Sequence, residues 1–160
     1  MSEPIVFISR NRVKEGMLDE FSRHYADSIP ATEANKPGTL VQLAYLNEEA
    51  NEVVIVRVFP NAEALDQQLQ GADERSKAAY QFISPTRVEI YGTPNSYAME
   101  MMKKVAGSGI EVSIKPQFIG GFIRRCRGEQ LNICSIVGGY CITAHLLLQP
   151  PIGIIRSFNK

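Results

Sequence analysis

Asn11, His24 and Tyr80 are the residues of this chain whose chemistry could act on a bound molecule, and each has a plainer structural reading beside it. Asn11 stands where a short apolar run, residues 5 to 8, gives way to an approaching helix. Its amide could hold a substrate oxygen, or satisfy turn backbone as asparagines at such junctions do. His24 follows Met17 and Phe21 by seven and three residues, which sets it at the border of an apolar helix face. An imidazole titrating near neutrality suits a general base, and a solvated or structural histidine is the alternative. Tyr80 could turn its phenol into a pocket as donor or acid, while burial of a core aromatic accounts for it equally well.

The candidates for binding are Arg57, Tyr45 and Tyr91. Arg57 is the single charge in the apolar run of residues 53 to 59. It must reach solvent, pair with an acid such as Glu89, or bind an anionic ligand, and pairing with the acid is the expectation. Tyr45 and Tyr91 lie in strand-like runs and are candidates for lining a cavity, against ordinary strand packing. Met99, Met101 and Met102 read as helix packing, and Lys103 and Lys104 as charges that complement a helix C-terminus. Cys126, Cys134 and Cys141 are spaced eight and seven residues apart, without a CxxC pair and with only His145 near them. Free thiols fit that spacing better than zinc, and no metal is expected.

These residues depend on an order of elements that reads strand, helix, hairpin, helix, strand. Met17, Leu18, Phe21, Tyr25 and Ile29 mark one face of a surface helix, closed by the turn Lys36-Pro37-Gly38. Residues 40 to 46 and 53 to 59 are strand runs joined by a polar hairpin connection. Asn61 is the expected N-cap of a second helix whose buried side runs from Ala62 through Leu65 and Leu69 to Ile83, with Gly71 able to split it. Residues 86 to 91 form a fourth strand with Val88 and Ile90 on one face and Arg87, Glu89 and Tyr91 on the other. Thr93-Pro94 reads as a helix start with the threonine as cap, and residues 111 to 115 and 118 to 123 as short strands.

At 160 residues with 44% hydrophobic and 21% charged side chains, the chain is expected to be a cytoplasmic protein of one domain plus a tail. A zero net charge and aromatics not interleaved with Lys and Arg argue against nucleic acid. No apolar run is long enough for a membrane span, and no leader is visible. Residues 1 to 125 carry 14 basic and 16 acidic groups, the remainder 3 and 1, so the domain is expected over 1–125 and a Cys-containing tail of uncertain order over 126–160. Because residues 5 to 8 and 53 to 56 are apolar at consecutive positions, both faces of those strands should be covered. Two copies packing their open sheet faces together would do so, giving a homodimer.

Asn11-Arg12-Val13 leading to Gly16 and Phe21, and Val56-Arg57-Val58-Phe59 leading into Ala62-Glu63-Ala64-Leu65, resemble the antibiotic biosynthesis monooxygenase superfamily over about residues 5 to 92. That resemblance implies a ferredoxin-like α+β fold: an antiparallel sheet with helices on one face, paired into a dimeric α+β barrel, here with a C-terminal helix and strand as an extension. It implies a pocket between sheet and helices and a cofactor-independent oxidation of a small aromatic, quinol or polyketide-type substrate by O2. A non-catalytic dimer binding a small aromatic or apolar ligand, or a partner, is the other expectation, since this fold hosts many functions. The haem-degrading branch would require an Asn, a Trp and a His at positions that fall on Asn11, near Gln68 and on Tyr80. The chain has no Trp, so no haem is expected.

Overall fold

Ile5, Phe7, Asn11 and Val13 are buried and the residues between them are not, the two-residue period of a strand with one covered face. Strand β1 therefore spans Ile5–Val13, well past the end of the apolar run. Pairing on both of its edges sustains it, so Arg10 and Arg12 extend from its open side while Asn11 turns inward. The expected junction at Asn11 is thus corrected to a position inside a central strand. Of the 160 residues, this computed structural model describes 3 to 123. The chain divides into Met1–Gly120 and Gly121–Lys160, and the architecture is that of the first unit. The expected tail over 126–160, with its cysteines, lies outside the described residues.

After β1 come α1 (Leu18–Asn35), β2 (Val41–Asn47), β3 (Glu52–Phe59), α2 (Ala62–Leu69), α3 (Ala72–Ala79), β4 (Ile83–Tyr91), α4 (Ser96–Gly107) and β5 (Glu111–Lys115). The sheet order is β2-β3-β1-β4-β5. The first four strands pair antiparallel, as expected. The fifth runs parallel to β4, because α4 carries the chain across before it rejoins the sheet, so the sheet is mixed. Residues 118 to 123, read as a strand from sequence, form none.

Local signals explain most boundaries. Asn61 caps α2 as expected, its Oδ1 accepting from Ala64 N at 2.9 Å. Gly71, at φ +70°, divides α2 from α3 in a conformation that other residues rarely adopt. The helix stops at Ala79 and Ile83 opens β4 opposite Val13, so the apolar spacing that suggested a helix to Ile83 was serving the sheet. The cap of α4 is Asn95, not Thr93: the Thr93 hydroxyl donates to Pro116 O at 3.2 Å, beyond the end of β5.

Ile5, Phe7, Phe59 and Ile90 of the sheet pack against Leu65 and Leu69 of α2 and Ala98 and Met102 of α4. Phe21 of α1 packs with Val13, Val53, Ile55 and Ile83 in a second cluster. Leu65 is fully buried. Leu65→Ala should lower the free energy of unfolding by about 2 to 5 kcal/mol, read as a fall in the urea midpoint. On the other face Val41, Leu43 and Tyr45 share a side with Val54, Val56, Val58, Val6 and Ile8 by strand register, and Leu43 and Tyr45 are exposed.

Candidate active site

The covered face of the sheet and the helices above it enclose a cleft of about 750 Å³. Phe21, Ile55, Leu65, Val88 and Met101 contribute its apolar wall, and the polar groups that reach it include Asn11, His24, Tyr25, Gln42, Arg57 and Tyr80. A smaller hollow of about 200 Å³ lies beside Lys36. Its lysine is already committed, with Nζ donating to Gln67 O at 2.6 Å and Gln70 O at 3.2 Å.

Arg57 alternates with Val56 and Val58 on β3 and so shares the inner face with Ile55 and Phe59. Its Nε donates to Gln42 Oε1 at 2.9 Å from the neighbouring strand. Among the described residues no carboxylate pairs with it. Glu89 projects from β4 on the opposite face, so the expected Arg57–Glu89 pair is corrected: neighbours on opposite faces cannot meet. Burial pushes the Arg57 guanidinium below its ordinary value, partly opposed by the Tyr25 phenol and reinforced by Arg75. Burial likewise pushes the Tyr25 phenol up, against the lowering from Arg57 and the nearby Gln42 amide. Gln42 is close but not placed for a regular hydrogen bond, and Tyr25 Oη, buried, has no partner among the described residues.

The other polar group of the cleft lies toward Val53. Four residues of extended chain separate Val53, which faces Asn11, from Arg57, or roughly 13 Å. Asn11 is 4% exposed, and its Nδ2 reaches Ser9 O and Val53 O only at 3.4 and 3.5 Å. A register shift between Arg10 and Asn11 marks a bulge here. Asn51, at φ +51°, does the turn work that Asn11 was weighed for, donating from Nδ2 to Val13 O at 2.9 Å. His24 is half-buried on α1 with its ring 5.2 Å from that of Phe82. Tyr80 follows α3 at the cleft border, 43% exposed, with its backbone oxygen accepting from Lys14 Nζ at 2.6 Å. No hydrogen bond joins Asn11, His24 and Tyr80 to one another among the described residues.

Tyr45 and Tyr91 do not line the cleft. By register Tyr45 faces outward opposite Val54 and Tyr91 outward opposite Val6. Tyr91 Oη instead donates to Glu89 Oε1 at 3.3 Å, and Lys115 Nζ lies 4.7 Å from its ring centre. Tyr25 and Gln42 are the site residues that sequence reasoning missed. The available signal was that the apolar stripe of α1 becomes polar after Tyr25, at Ser28 and Thr32, which border the same cleft.

Glu89 sits under a lattice of charges on the open face: Arg10 Nε at 3.2 Å, Arg87 Nη2 at 3.5 Å and Lys115 Nζ at 3.7 Å. Its side chain is 8% exposed, yet what covers it is these long basic side chains and not the core. Desolvation alone would raise its carboxyl. The Arg10 hydrogen bond and the Arg87 and Arg10 charges, with the Tyr91 hydroxyl, outweigh that and hold it below its ordinary value. The stabilisation is therefore complete above the ordinary carboxylate range and lost as pH falls through the lower folded value. Glu89→Gln should flatten the acid limb of a urea midpoint against pH curve. An unchanged limb would place the acid sensitivity elsewhere.

No family model matches the sequence, and no characterised protein sequence matches it. The crystal structure of MupZ from Pseudomonas fluorescens superposes with a TM-score of 0.59 at 20% identity, over 76% of this chain and 91% of that one. This shared architecture, with four antiparallel strands in the order 2-3-1-4 and the helices packed on one face, decides the fold. The chain has a ferredoxin-like α+β fold. SnoaB, a cofactor-independent oxygenase from Streptomyces nogalater, is similar at 17% identity and a TM-score of 0.48, over 59% of this chain and 97% of that one. A proposed antibiotic biosynthesis monooxygenase from Caulobacter crescentus stands at 18% and 0.49, over 56% and 88%. At these identities the likeness is one of fold.

The haem-degrading arrangement that the sequence resemblance raised does not suit these residues. Gln68 occupies the region of the tryptophan and accepts from Thr39 Oγ1 at 3.1 Å, and Tyr80 stands at the border of the cleft, partly in solvent. No cluster of three or more His, Cys, Asp or Glu placed to hold a metal ion occurs among the described residues, and no described helix is long and apolar enough to cross a membrane.

Proposed function

We propose that the chain is a cofactor-independent monooxygenase-like enzyme that oxidises a small aromatic, quinol or polyketide-type substrate with O2. The observation that carries this is the cleft itself: about 750 Å³ of largely apolar wall, with polar side chains gathered at two ends. Such a site suits a flat, electron-rich molecule. The chemistry asks little of the protein, because the substrate is its own reductant. An activated methylene loses a proton, its anion passes an electron to O2, and the two radicals join as a hydroperoxide. Loss of water then leaves a carbonyl, with one oxygen atom in the product and the other in water.

His24 is the base in this reading, and Asn11 holds the substrate oxygen through which the anion is delocalised. Tyr80, at the cleft border, donates a proton to the departing oxygen. The working form is a cytoplasmic homodimer joined through the open sheet face. A non-catalytic ligand-binding reading draws on one observation, that Asn11, His24 and Tyr80 share no hydrogen bond; catalytic hydrogen bonds often tighten only around a bound substrate.

The test is oxygen uptake by metal-stripped protein offered anthrones, quinols and catechols. Turnover is expected without added cofactor, and His24→Ala should lower kcat by about 100-fold or more while the oligomeric state stays the same. Full activity in His24→Ala and in Tyr80→Phe would remove the acid–base assignment. No uptake across the panel would shift the reading to ligand binding.

A further inference from the structure

We propose that the Arg57 end of the cleft is a seat for a carboxylate, so that the substrate is an aromatic or polyketide-type acid whose anion binds about 13 Å along the sheet from the level of Asn11. This rests on the oxygenase reading for the reaction, but not for the seat.

Three observations converge on it. The Arg57 Nε–H is taken by Gln42 Oε1 at 2.9 Å, which fixes the plane of the guanidinium, while its two terminal amino groups make no hydrogen bond among the described residues. A planar fork held in this way matches the two oxygens of a carboxylate. Beside it the Tyr25 Oη is a second buried donor without a partner. Its phenol is held protonated by burial, so it offers a hydrogen and no competing charge.

The surroundings lack an internal anion. Of the acids that border the cleft, Glu74 is held by Lys77 at 2.6 Å and Asp73 lies exposed on α3, and neither pairs with Arg57. The other cation nearby, Arg75, donates its Nη1 to Gln70 O at 2.8 Å and its Nη2 to Gln68 O, so it adds positive potential without closing the site. A half-buried cation with unused donors attracts an anion more strongly than an exposed one, because the walls of the cleft reduce screening by solvent. Position completes the argument. Ile55 and Ser9 lie on the sheet between the Arg57 and Asn11 levels, with no charged side chain from β1 or β3 between them on that face, so one ligand can reach both ends.

The test measures binding without turnover. A series of aryl-alkanoic acids of increasing chain length and their primary amides would be titrated calorimetrically against the full chain under nitrogen. The acids are expected to bind roughly 10- to 100-fold more tightly than the matching amides. Arg57→Met should abolish that preference, Arg57→Lys should keep part of it, and Tyr25→Phe should reduce it several-fold, with circular dichroism confirming the fold of each. Equal affinity of acids and amides throughout the series, including binding by neither, overturns the seat, as does a preference that survives in Arg57→Met. Tight binding of acids without oxygen uptake would sink the oxygenase reading and leave the seat standing. Uptake with neutral substrates at the same kcat/KM as with acids would do the reverse.

Discussion

Arg57→Met combined with Gln42→Leu is expected to unfold at a higher urea concentration than the natural protein while losing the preference for acids proposed for the cleft. The two effects have one origin. The guanidinium is half-buried, with Gln42 as its one hydrogen-bond partner among the described residues, and burial pushes its pKa down. An apolar side chain of similar volume removes the cost of partly burying that charge, a gain smaller than the roughly 1 to 4 kcal/mol found when whole buried ion pairs are replaced. Against this, in Arg57→Met alone, stands the stranded Gln42 oxygen, worth roughly 1 to 3 kcal/mol if it finds no water. Arg57→Met combined with Gln42→Leu removes both and should be the more stable of the two. Such a gain in stability with a loss of activity is the usual signature of a residue kept for function. A fall in stability of both variants by more than about 2 kcal/mol, beyond the ordinary range for such a replacement, would instead make Arg57 an anchor between β2 and β3.

On the proposed homodimer, Leu43→Arg should give monomers in sedimentation velocity, with the secondary structure unchanged. Leu43 is 42% exposed and Tyr45 60% exposed, on a face that continues inward through Val54, Val56 and Ile8. A charge at Leu43 costs the single chain almost nothing, since the side chain already meets water. In a twofold pair the same substitution enters the interface twice. Each unpaired buried arginine costs about 2 to 5 kcal/mol, so the dimer should weaken by several orders of magnitude. A dimer that resists Leu43→Arg would have to form through another surface.

Which parts of this were legible before the structure depended on whether the signal was local. The cap at Asn61, the break at Gly71 and the polar hairpin between β2 and β3 are carried by a few adjacent residues, and each was read correctly. Strand parity is not local. Val53 to Phe59 is apolar on both faces, so nothing in the run says whether Arg57 turns toward the helices or away, and its partner was misassigned to Glu89. The Arg10/Asn11 bulge adds to this: it shifts the β1–β4 register where Asn11 faces Pro85, a proline that reads from sequence as the end of a helix and in the sheet marks the bulge. Tyr25 was counted as part of an apolar stripe, which it is by its ring; its hydroxyl becomes informative only when β2 brings Gln42 and β3 brings Arg57 alongside. Ile83 misled for a related reason, since one apolar residue after a helix satisfies either period.

The central place of β1 has a consequence for how the chain is made. Of the five strands it leaves the ribosome first, yet its two edges are filled by partners of very different age: Ile5 pairs with Phe59, and Val6 with Tyr91. While the chain is growing, β1, β2 and β3 can assemble as soon as Phe59 has emerged, and one edge of β1 then stays open until Tyr91 follows. During that interval the nascent sheet offers an unpaired strand and an uncovered apolar face, so crowding of neighbouring chains at this stage is where assembly is most exposed to error.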